Sequence, residues 1–128
     1  MSADTILDTA IVETLWTSGA GDRWLAQAAS GDLNAAVTAS SLAELVRRAP
    51  DRRAEIQIAA LMDLVDVLDL TGAAAQRAGQ IARDLDSADP EAMLSAIVAA
   101  TALETGMAVA CIDEEFFSAM GCRIAEVS

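Results

Sequence analysis

The sequence contains no histidine, no lysine and no tyrosine, and these absences remove whole classes of function. A Ser-His-Asp triad, a histidine-ligated zinc ion and a Schiff-base lysine are all excluded. The eight cationic residues are all arginine and face 20 Asp and Glu residues, which gives a formal net charge of −12. This balance argues against a general nucleic-acid coating protein, because affinity for a polyphosphate comes mostly from cations. What remains is carboxylate chemistry, which means acid–base work or the binding of a hard metal ion.

Length and composition predict one folded domain over residues 1–128, with a core of Ala, Leu, Ile, Val and Met because only four aromatic residues are present. Residues 1–8 show no signal-peptide pattern, and the most apolar stretch, residues 93–112, is interrupted by Glu104 and Gly106. We therefore expect no membrane association and a cytoplasmic location. Cys111 and Cys122 lie in no CxxC spacing, which favours two buried thiols over a disulfide or a redox pair.

Apolar runs and helix signals alternate along the chain. Continuous apolar runs predict strands at residues 5–8, 35–38, 65–70, 107–112 and 123–127. Helical spacing and end signals predict helices at residues 10–17, 22–29, 41–49, 51–64, 71–85, 90–104 and 113–120, with a break at Gly19-Ala20-Gly21. Strands that are apolar throughout and alternate with helices predict an α/β domain, whose mostly parallel central sheet carries helices on both faces.

Two finer features follow from the same patterns. Ser41 and Glu44 have the spacing of a capping box at the start of the third helix. Pro50 is predicted to end that helix. The fourth helix has a broad apolar face that predicts its buried side, formed by Ile56, Ala59, Ala60, Met62 and Leu64.

Three acidic residues follow strands of the predicted sheet. Asp8 ends the first strand, Asp113 follows the fourth, and Glu44 comes within one helical turn of the second. In an open parallel sheet, ligands bind outside the carboxyl ends of the strands, where the strand order reverses. Clustered carboxylates repel one another unless a cation neutralises them, and oxygen ligands suit Mg²⁺ or Mn²⁺. We therefore expect Asp8, Glu44 and Asp113 to form a metal site.

Each of these acids also has a structural interpretation. Glu44 can complete the capping box with Ser41 or pair with Arg48 four residues later. Asp113 and Asp8 can each act as a helix N-cap.

Four segments, in this order, resemble the motifs of PIN domains, most closely those of the VapC ribonuclease toxins of toxin–antitoxin pairs. They are Thr5-Ile6-Leu7-Asp8-Thr9, Ser41-Leu42-Ala43-Glu44-Leu45, Ala96-Ile97-Val98-Ala99-Ala100-Thr101-Ala102 and Ala110-Cys111-Ile112-Asp113-Glu114-Glu115-Phe116. The resemblance extends from residue 5 to about residue 117. It implies a PIN-like three-layer domain and an Mg²⁺- or Mn²⁺-dependent endoribonuclease that cleaves single-stranded or structured RNA. It also implies a homodimer that a small cognate antitoxin neutralises.

The sequence departs from the PIN pattern at three positions. Ser95 stands where the third acid of the family is expected, Ala10 replaces a polar residue, and Cys111 replaces a Thr or Ser. Glu91, four residues before Ser95 and hence on the same helical face, is a candidate substitute for the missing acid. Asp8, Glu44 and Asp113 are the predicted catalytic and metal-binding residues, with Thr9, Ser95 and Glu91 as accessory residues.

Arg47, Arg48, Arg52 and Arg53 form the basic patch nearest to Glu44 and are predicted to hold RNA phosphates. The alternative is a solvated surface that pairs with nearby acids. Trp16 and Trp24 favour a role in the core or in a partner groove over base stacking.

Other functions of an α/β domain fit less well. A phospho-acceptor receiver domain and a dehalogenase-type phosphatase both need a lysine, which excludes them. The remaining alternative to a ribonuclease is a degenerate PIN domain that binds protein or RNA without cutting it.

Overall fold

The computed structural model describes residues 3–17, 21–87 and 89–125. This described part contains four strands, β1 (Thr5–Leu7), β2 (Ala35–Thr38), β3 (Asp66–Leu68) and β4 (Ala108–Ala110). It also contains seven helices, α1 (Thr9–Thr17), α2 (Gly21–Ser30), α3 (Ala39–Arg48), α4 (Arg52–Met62), α5 (Gly72–Leu85), α6 (Pro90–Thr105) and α7 (Glu114–Ala119).

The four strands form one parallel sheet in the order β3-β2-β1-β4. Thr5 of β1 lies opposite Ala35 of β2 on one side and Ala108 of β4 on the other. The chain first builds the sheet outward from β1 through β2 to β3, and then returns to place β4 on the free edge of β1. The strand order therefore reverses between β1 and β4, which is where ligands bind in open parallel sheets.

The two faces of the sheet are covered by different helices. Because neighbouring strand residues point to opposite faces, Ile6 and Leu7 enter different clusters. Leu7 and Val37 pack with buried residues of α1 to α4, such as Leu45. Ile6 packs with buried residues of α6 and α7, including Phe117. The predicted arrangement of a parallel sheet with helices on both faces is therefore confirmed.

Helix α6 is buried over seven consecutive residues, from Ala96 to Ala102. A helix can be buried all round only if it is covered on several sides, and α6 has β4 and Phe117 on one side and α5 on the other. Alanine dominates the contact with α5, where Ala74 and Ala78 pack against α6. Small side chains allow α5 and α6 to approach closely, so the described residues of the cluster between these two helices include no aromatic side chain.

Several predicted details differ in the structure. The N-cap of α3 is Thr38, whose hydroxyl oxygen accepts the N–H of Ser41 at 3.1 Å, so the capping box at Ser41 and Glu44 was wrong. Helix α3 begins directly after β2, which places Ser41 in its first turn as a buried residue. Thr71 caps α5 and Gly106 ends α6, as predicted.

The buried face of α4 was also assigned wrongly. Ala54, Ile58 and Leu61 face the core, whereas Ile56 is 57% exposed. The buried residues Ala54, Ile58 and Leu61 are spaced by four and three positions, as expected for one face of a helix. Apolar residues also occur on the other faces of α4, so this spacing did not stand out in the sequence.

The predicted final strand is reduced to a single parallel bridge between Val109 and Ile124. Residues 126 and 127 of that strand, and residues 19 and 20 of the predicted break after α1, lie outside the described residues. Within the described ranges, no helix combines the length and apolar character that crossing a membrane requires.

Candidate active site

The carboxyl ends of β1 and β4 place Asp8 at the point where the strand order reverses. Asp8 directly follows β1, and its N–H donates to the carbonyl oxygen of Ala110 at the end of β4 at 2.9 Å. Its own carbonyl oxygen accepts the N–H of Ile11 in the first turn of α1 at 3.0 Å. The junction of strand and helix therefore fixes the backbone of Asp8, and the residue is only 5% exposed.

The surroundings of the Asp8 side chain disfavour its negative charge. Burial raises the pKa of this carboxyl to about 6, although a hydrogen bond from the N–H of Thr9 opposes the rise. The negative charges of Glu91, Asp113 and Glu13 raise the pKa further. A buried carboxyl whose pKa is raised both by burial and by neighbouring negative charges is a candidate functional residue.

Asp113 has a structural role as well. It is the N-cap of α7, and its Oδ1 accepts the N–H of Phe116 at 3.1 Å. The capping interpretation of Asp113 is therefore confirmed, and the exposed carboxylate keeps a second oxygen for other contacts. Capping and binding are compatible, because the cap orients the carboxylate at the start of a helix.

Glu44 lies on α3 and makes contacts unlike those of Asp8. Its Oε1 accepts hydrogen bonds from Arg47 and from Nε of Arg48, the latter at 2.8 Å. These bonds, from Arg47 first and Arg48 second, lower the pKa of Glu44 to about 2. The predicted pairing of Glu44 with Arg48 is confirmed.

The accessory residues lie at the starts of α1 and α6. Thr9 is buried, and its hydroxyl donates to Oγ of Ser41 at 2.8 Å, which joins the start of α1 to the start of α3. Thr38 also donates to Oγ of Ser41, at 3.0 Å. Glu91, in the first turn of α6, bonds to Arg48 and acts electrostatically on Asp8. Half-buried Ser95 follows one turn later.

The donor chemistry of this region fits a hard divalent cation. Asp8 and Asp113 offer oxygen ligands, and burial followed by the charges of Asp8, Glu114 and Asp113 raises the pKa of the nearby Cys111 thiol to about 12. A protonated thiol is a poor ligand, so oxygen is what the site provides. Across the described ranges, however, no group of three or more carboxylates or thiols is arranged to hold a metal ion. Within this region Glu44 and Glu91 bond to arginine, whereas the negative charge of Asp113 acts on the buried Asp8.

Solved structures place this geometry in a known fold. VapC20 of Mycobacterium tuberculosis, a sarcin–ricin-loop-cleaving toxin, matches with a TM-score of 0.69 and 19% identity over 94% of this chain and 98% of that chain. VapBC2 of Rickettsia felis, bound to a promoter DNA fragment, matches with 0.69 and 13% identity over 95% and 96%. DNA-bound VapBC of Salmonella typhimurium matches with 0.68 and 23% identity over the whole of both chains. The chain has the PIN-domain fold of VapC toxins. No family model and no curated protein matches the sequence itself.

The four predicted RNA-binding arginines occupy different surroundings on this PIN fold. Arg47 is an exposed side chain that pairs with Glu44, and Arg52 pairs with Glu55 at 3.6 Å. Arg53 lines a surface cleft together with Trp16, Pro50, Asp51 and Gln57. Arg48 is the least exposed of those with ion pairs, at 23%.

The two tryptophans differ in burial. Trp24 is buried, and its Nε1 donates to the hydroxyl of Thr14 at 3.2 Å. Trp16 is partly buried and lines the cleft that contains Arg53. The contacts of Trp24 are those of a core residue.

Two features of the site were not predicted from the sequence. Glu13 bonds to Arg48 and acts on Asp8, although no motif includes it. Its position four residues after Thr9, on the same face of α1, was the available signal. Thr38 was predicted only as the end of a strand and Ser41 only as a helix-start signal, and nothing local indicates that Ser41 would contact Thr9 across 32 residues.

Proposed function

We propose that this protein is a VapC-type toxin, a divalent-metal-dependent endoribonuclease that a cognate antitoxin neutralises. The observation that carries the proposal is the buried, uncompensated carboxylate of Asp8 at the switch point of a VapC-like sheet. The resemblance of the sequence motifs and the likeness of the fold both point to the same class of protein. Asp8, Asp113 and Glu44 are the proposed catalytic residues.

Asp8 and Asp113 would hold the metal ion. Mg²⁺ or Mn²⁺, when bound, supplies charge stabilisation for a scissile phosphate and activation of water. The backbone bonds at the end of β1 orient Asp8, and the cap of α7 orients Asp113. Thr9 and Ser41 hold the starts of α1 and α3 together beneath the site. Glu44 would position water at the rim, and Ser95 can orient water but supplies no charge.

RNA would be held by the arginines of α3 and α4. With a net charge of −12, the protein as a whole repels a polyphosphate, so contact must be local. Arg47 and Arg52 have exposed side chains whose ion pairs are easily exchanged for phosphate. Arg53, beside Trp16 in the cleft, is a further candidate.

The solved relatives support the antitoxin of this proposal, and the homodimer rests on the resemblance of the sequence motifs alone. A toxin–antitoxin complex from Klebsiella pneumoniae matches with a TM-score of 0.63 and 16% identity over 88% of this chain and 89% of that chain. We infer that this chain also binds a small antitoxin, forms a homodimer and acts in the cytoplasm. Copurification with a candidate antitoxin, followed by light scattering of the complex and of the free toxin, measures both associations.

The test of catalysis is cleavage of single-stranded RNA with Mn²⁺ or Mg²⁺, comparing the wild type with Asp113→Asn. Asparagine remains a good N-cap, so α7 should stay intact while a ligand charge is lost. We expect cleavage to fall by about 100-fold or more. Glu115→Gln, an equal charge change at an exposed position of the same helix, is the matched control and should retain activity.

The second candidate is a degenerate PIN domain that binds protein or RNA without cutting it. Ser95 at the position of the expected acid, and the engagement of Glu44 and Glu91 by arginine, favour this alternative. Equal and negligible cleavage by the wild type and Asp113→Asn would support it. Ser95→Asp sharpens the choice, because a nuclease weakened by one missing ligand should gain both Mn²⁺ affinity and RNA cleavage from it.

A further inference from the structure

The guanidinium group of Arg48 joins three carboxylates that come from three different helices. Its Nε donates to Glu44 of α3 at 2.8 Å, its Nη1 donates to Glu13 of α1, and its Nη2 donates to Glu91 of α6. Each of its three nitrogens therefore has a carboxylate partner. The planar fork of arginine presents donors on three separate nitrogens at fixed angles, whereas an ammonium group presents its three donors on one nitrogen.

These contacts lie beside the candidate active site. Glu13 and Glu91 are both close enough to Asp8 for their charges to act on it. Glu44 is one of the three predicted metal-binding residues. The Arg48 side chain is only 23% exposed, so water screens its ion pairs less than it screens those of Arg47, which is 71% exposed. Arg48 is thus a partly desolvated cation next to the acidic residues of the candidate site.

We propose that Arg48 is a built-in counter-ion that competes with a divalent metal ion for the carboxylates of this site. This role of Arg48 rests on the metal-binding part of the proposed function. With Arg48 in place, one oxygen of each of Glu13, Glu44 and Glu91 bonds to the guanidinium group, which makes these acids weaker metal ligands than Asp8 and Asp113. Withdrawal of Arg48 releases further oxygen ligands and removes one positive charge from the vicinity.

The competition must act in both directions. If Arg48 weakens metal binding by a given factor, then a bound metal ion weakens the hold of Arg48 on its carboxylates by the same factor. The contacts of Arg48 span helices that are 35 and 43 residues away in the chain, so its release also loosens α3 from α1 and α6. Metal binding and the packing of α3 are therefore coupled through one side chain.

The test is the affinity for Mn²⁺, measured by calorimetry on the purified wild type and on Arg48→Gln. We expect Arg48→Gln to bind Mn²⁺ at least about 10-fold more tightly, because it frees carboxylates and removes a competing charge. Arg77→Gln is the matched control for net charge, since Arg77 pairs with Glu104 between α5 and α6 at 3.5 Å. It should change the affinity by less than about twofold, because its charge lies outside the acidic site.

A second variant keeps the test valid if Arg48→Gln fails to fold. Arg48→Lys keeps the charge but replaces three separate donor nitrogens with one, which should weaken the bridging of the three carboxylates, so an intermediate gain in Mn²⁺ affinity is expected. Thermal denaturation gives an independent readout, because Mn²⁺ should raise the melting temperature of both variants more than that of the wild type. A folded variant that binds Mn²⁺ no more tightly than the wild type overturns the proposal, and so does the absence of binding to every variant.

The outcomes separate this inference from the proposed function. If Arg48→Gln gains Mn²⁺ affinity but neither it nor the wild type cleaves RNA, Arg48 is a counter-ion and the nuclease assignment fails. If the wild type cleaves RNA in a manner that depends on Asp8 while the substitutions of Arg48 leave Mn²⁺ affinity unchanged, the nuclease assignment stands and the role of Arg48 is refuted.

Discussion

Asp8 and Glu44 are carboxylates predicted for the same site, yet their surroundings shift their pKa values in opposite directions. Burial first, and then the charges of Glu91, Asp113 and Glu13, raise the pKa of Asp8 to about 6. Hydrogen bonds from Arg47 and Arg48 lower the pKa of Glu44 to about 2. Asp8 lies at the end of a central strand without a compensating cation, whereas Glu44 lies on a helix that carries its own arginines.

The acidic region therefore has two sides. On the compensated side, around Glu44, arginine neutralises the carboxylates; on the uncompensated side, around Asp8, no arginine pairs with the buried carboxyl among the described residues. On the side of α3, Arg48 neutralises carboxylates that would otherwise repel one another. At the ends of β1 and β4, burial and like charges act together on Asp8. A fold selected for stability alone gains nothing from an ionised Asp8, so the uncompensated side is the better candidate for binding a cation from solution.

Asp8→Asn, on the uncompensated side, should produce the largest change in the free energy of unfolding. A carboxyl with a higher pKa in the folded protein than in the unfolded chain destabilises the fold wherever it is ionised. The penalty is absent below pH 3.8, grows as the pH rises towards about 6, and is constant above that. A shift of this size corresponds to at most about 3 kcal/mol, so we expect Asp8→Asn to stabilise the metal-free protein by about 1–3 kcal/mol near neutral pH.

Urea denaturation at neutral pH and near pH 3.5 measures this effect. The stabilisation should nearly vanish at the lower pH, where Asp8 is protonated in the folded protein and mostly protonated in the unfolded chain. Glu115→Gln, at an exposed position, is the control and should shift the free energy of unfolding by less than about 0.5 kcal/mol at either pH. If Asp8→Asn destabilises the protein at neutral pH, Asp8 has a compensating partner and the contrast with Glu44 disappears.

Arg48→Gln tests the compensated side and should have a smaller effect of the opposite sign. Three carboxylates would lose their shared cation and repel one another, so we expect a loss of about 1–2 kcal/mol at neutral pH. High salt should reduce this loss because it screens the repulsion. Arg77→Gln, which breaks one ion pair with Glu104, should cost less than about 0.5 kcal/mol. Equal losses in the two variants would show that Arg48 is an ordinary surface residue.

The fold could be predicted from the sequence to the extent that local signals decide it. The order of strands and helices, the cap at Thr71 and the end of α6 at Gly106 all follow from short patterns. The position of Asp8 at a strand end also follows, because a buried run that stops at a carboxylate is a local feature. Where two local signals competed, the prediction failed: Thr38, as the last residue of β2, displaced Ser41 as the cap of α3.

The contacts that distinguish the two sides of the site could not be predicted in this way. The pair of Glu44 and Arg48 spans one helical turn and was foreseen, but the bonds of Arg48 to Glu13 and Glu91 join distant parts of the chain. Such contacts depend on how three helices pack, which no spacing within one helix specifies. The presence of Glu13 in the site is a consequence of that packing.

Titration of Asp8 and Glu44 by NMR measures the two pKa values directly, and it can also detect the smallest expected effects, which are changes in the pKa of Glu44. Asp8 should titrate near pH 6 and Glu44 near pH 2. Ion pairing of Glu44 therefore contributes to stability above pH 4.5, and this contribution is lost as the pH falls towards 2. Arg47 comes before Arg48 among the causes that lower this pKa, but the side chain of Arg47 is 71% exposed, so its contact is the more strongly screened in solution. Arg48→Gln should thus raise the pKa of Glu44 at least as much as Arg47→Gln does. A clearly larger rise with Arg47→Gln would show that the exposed Arg47, and not Arg48, neutralises Glu44.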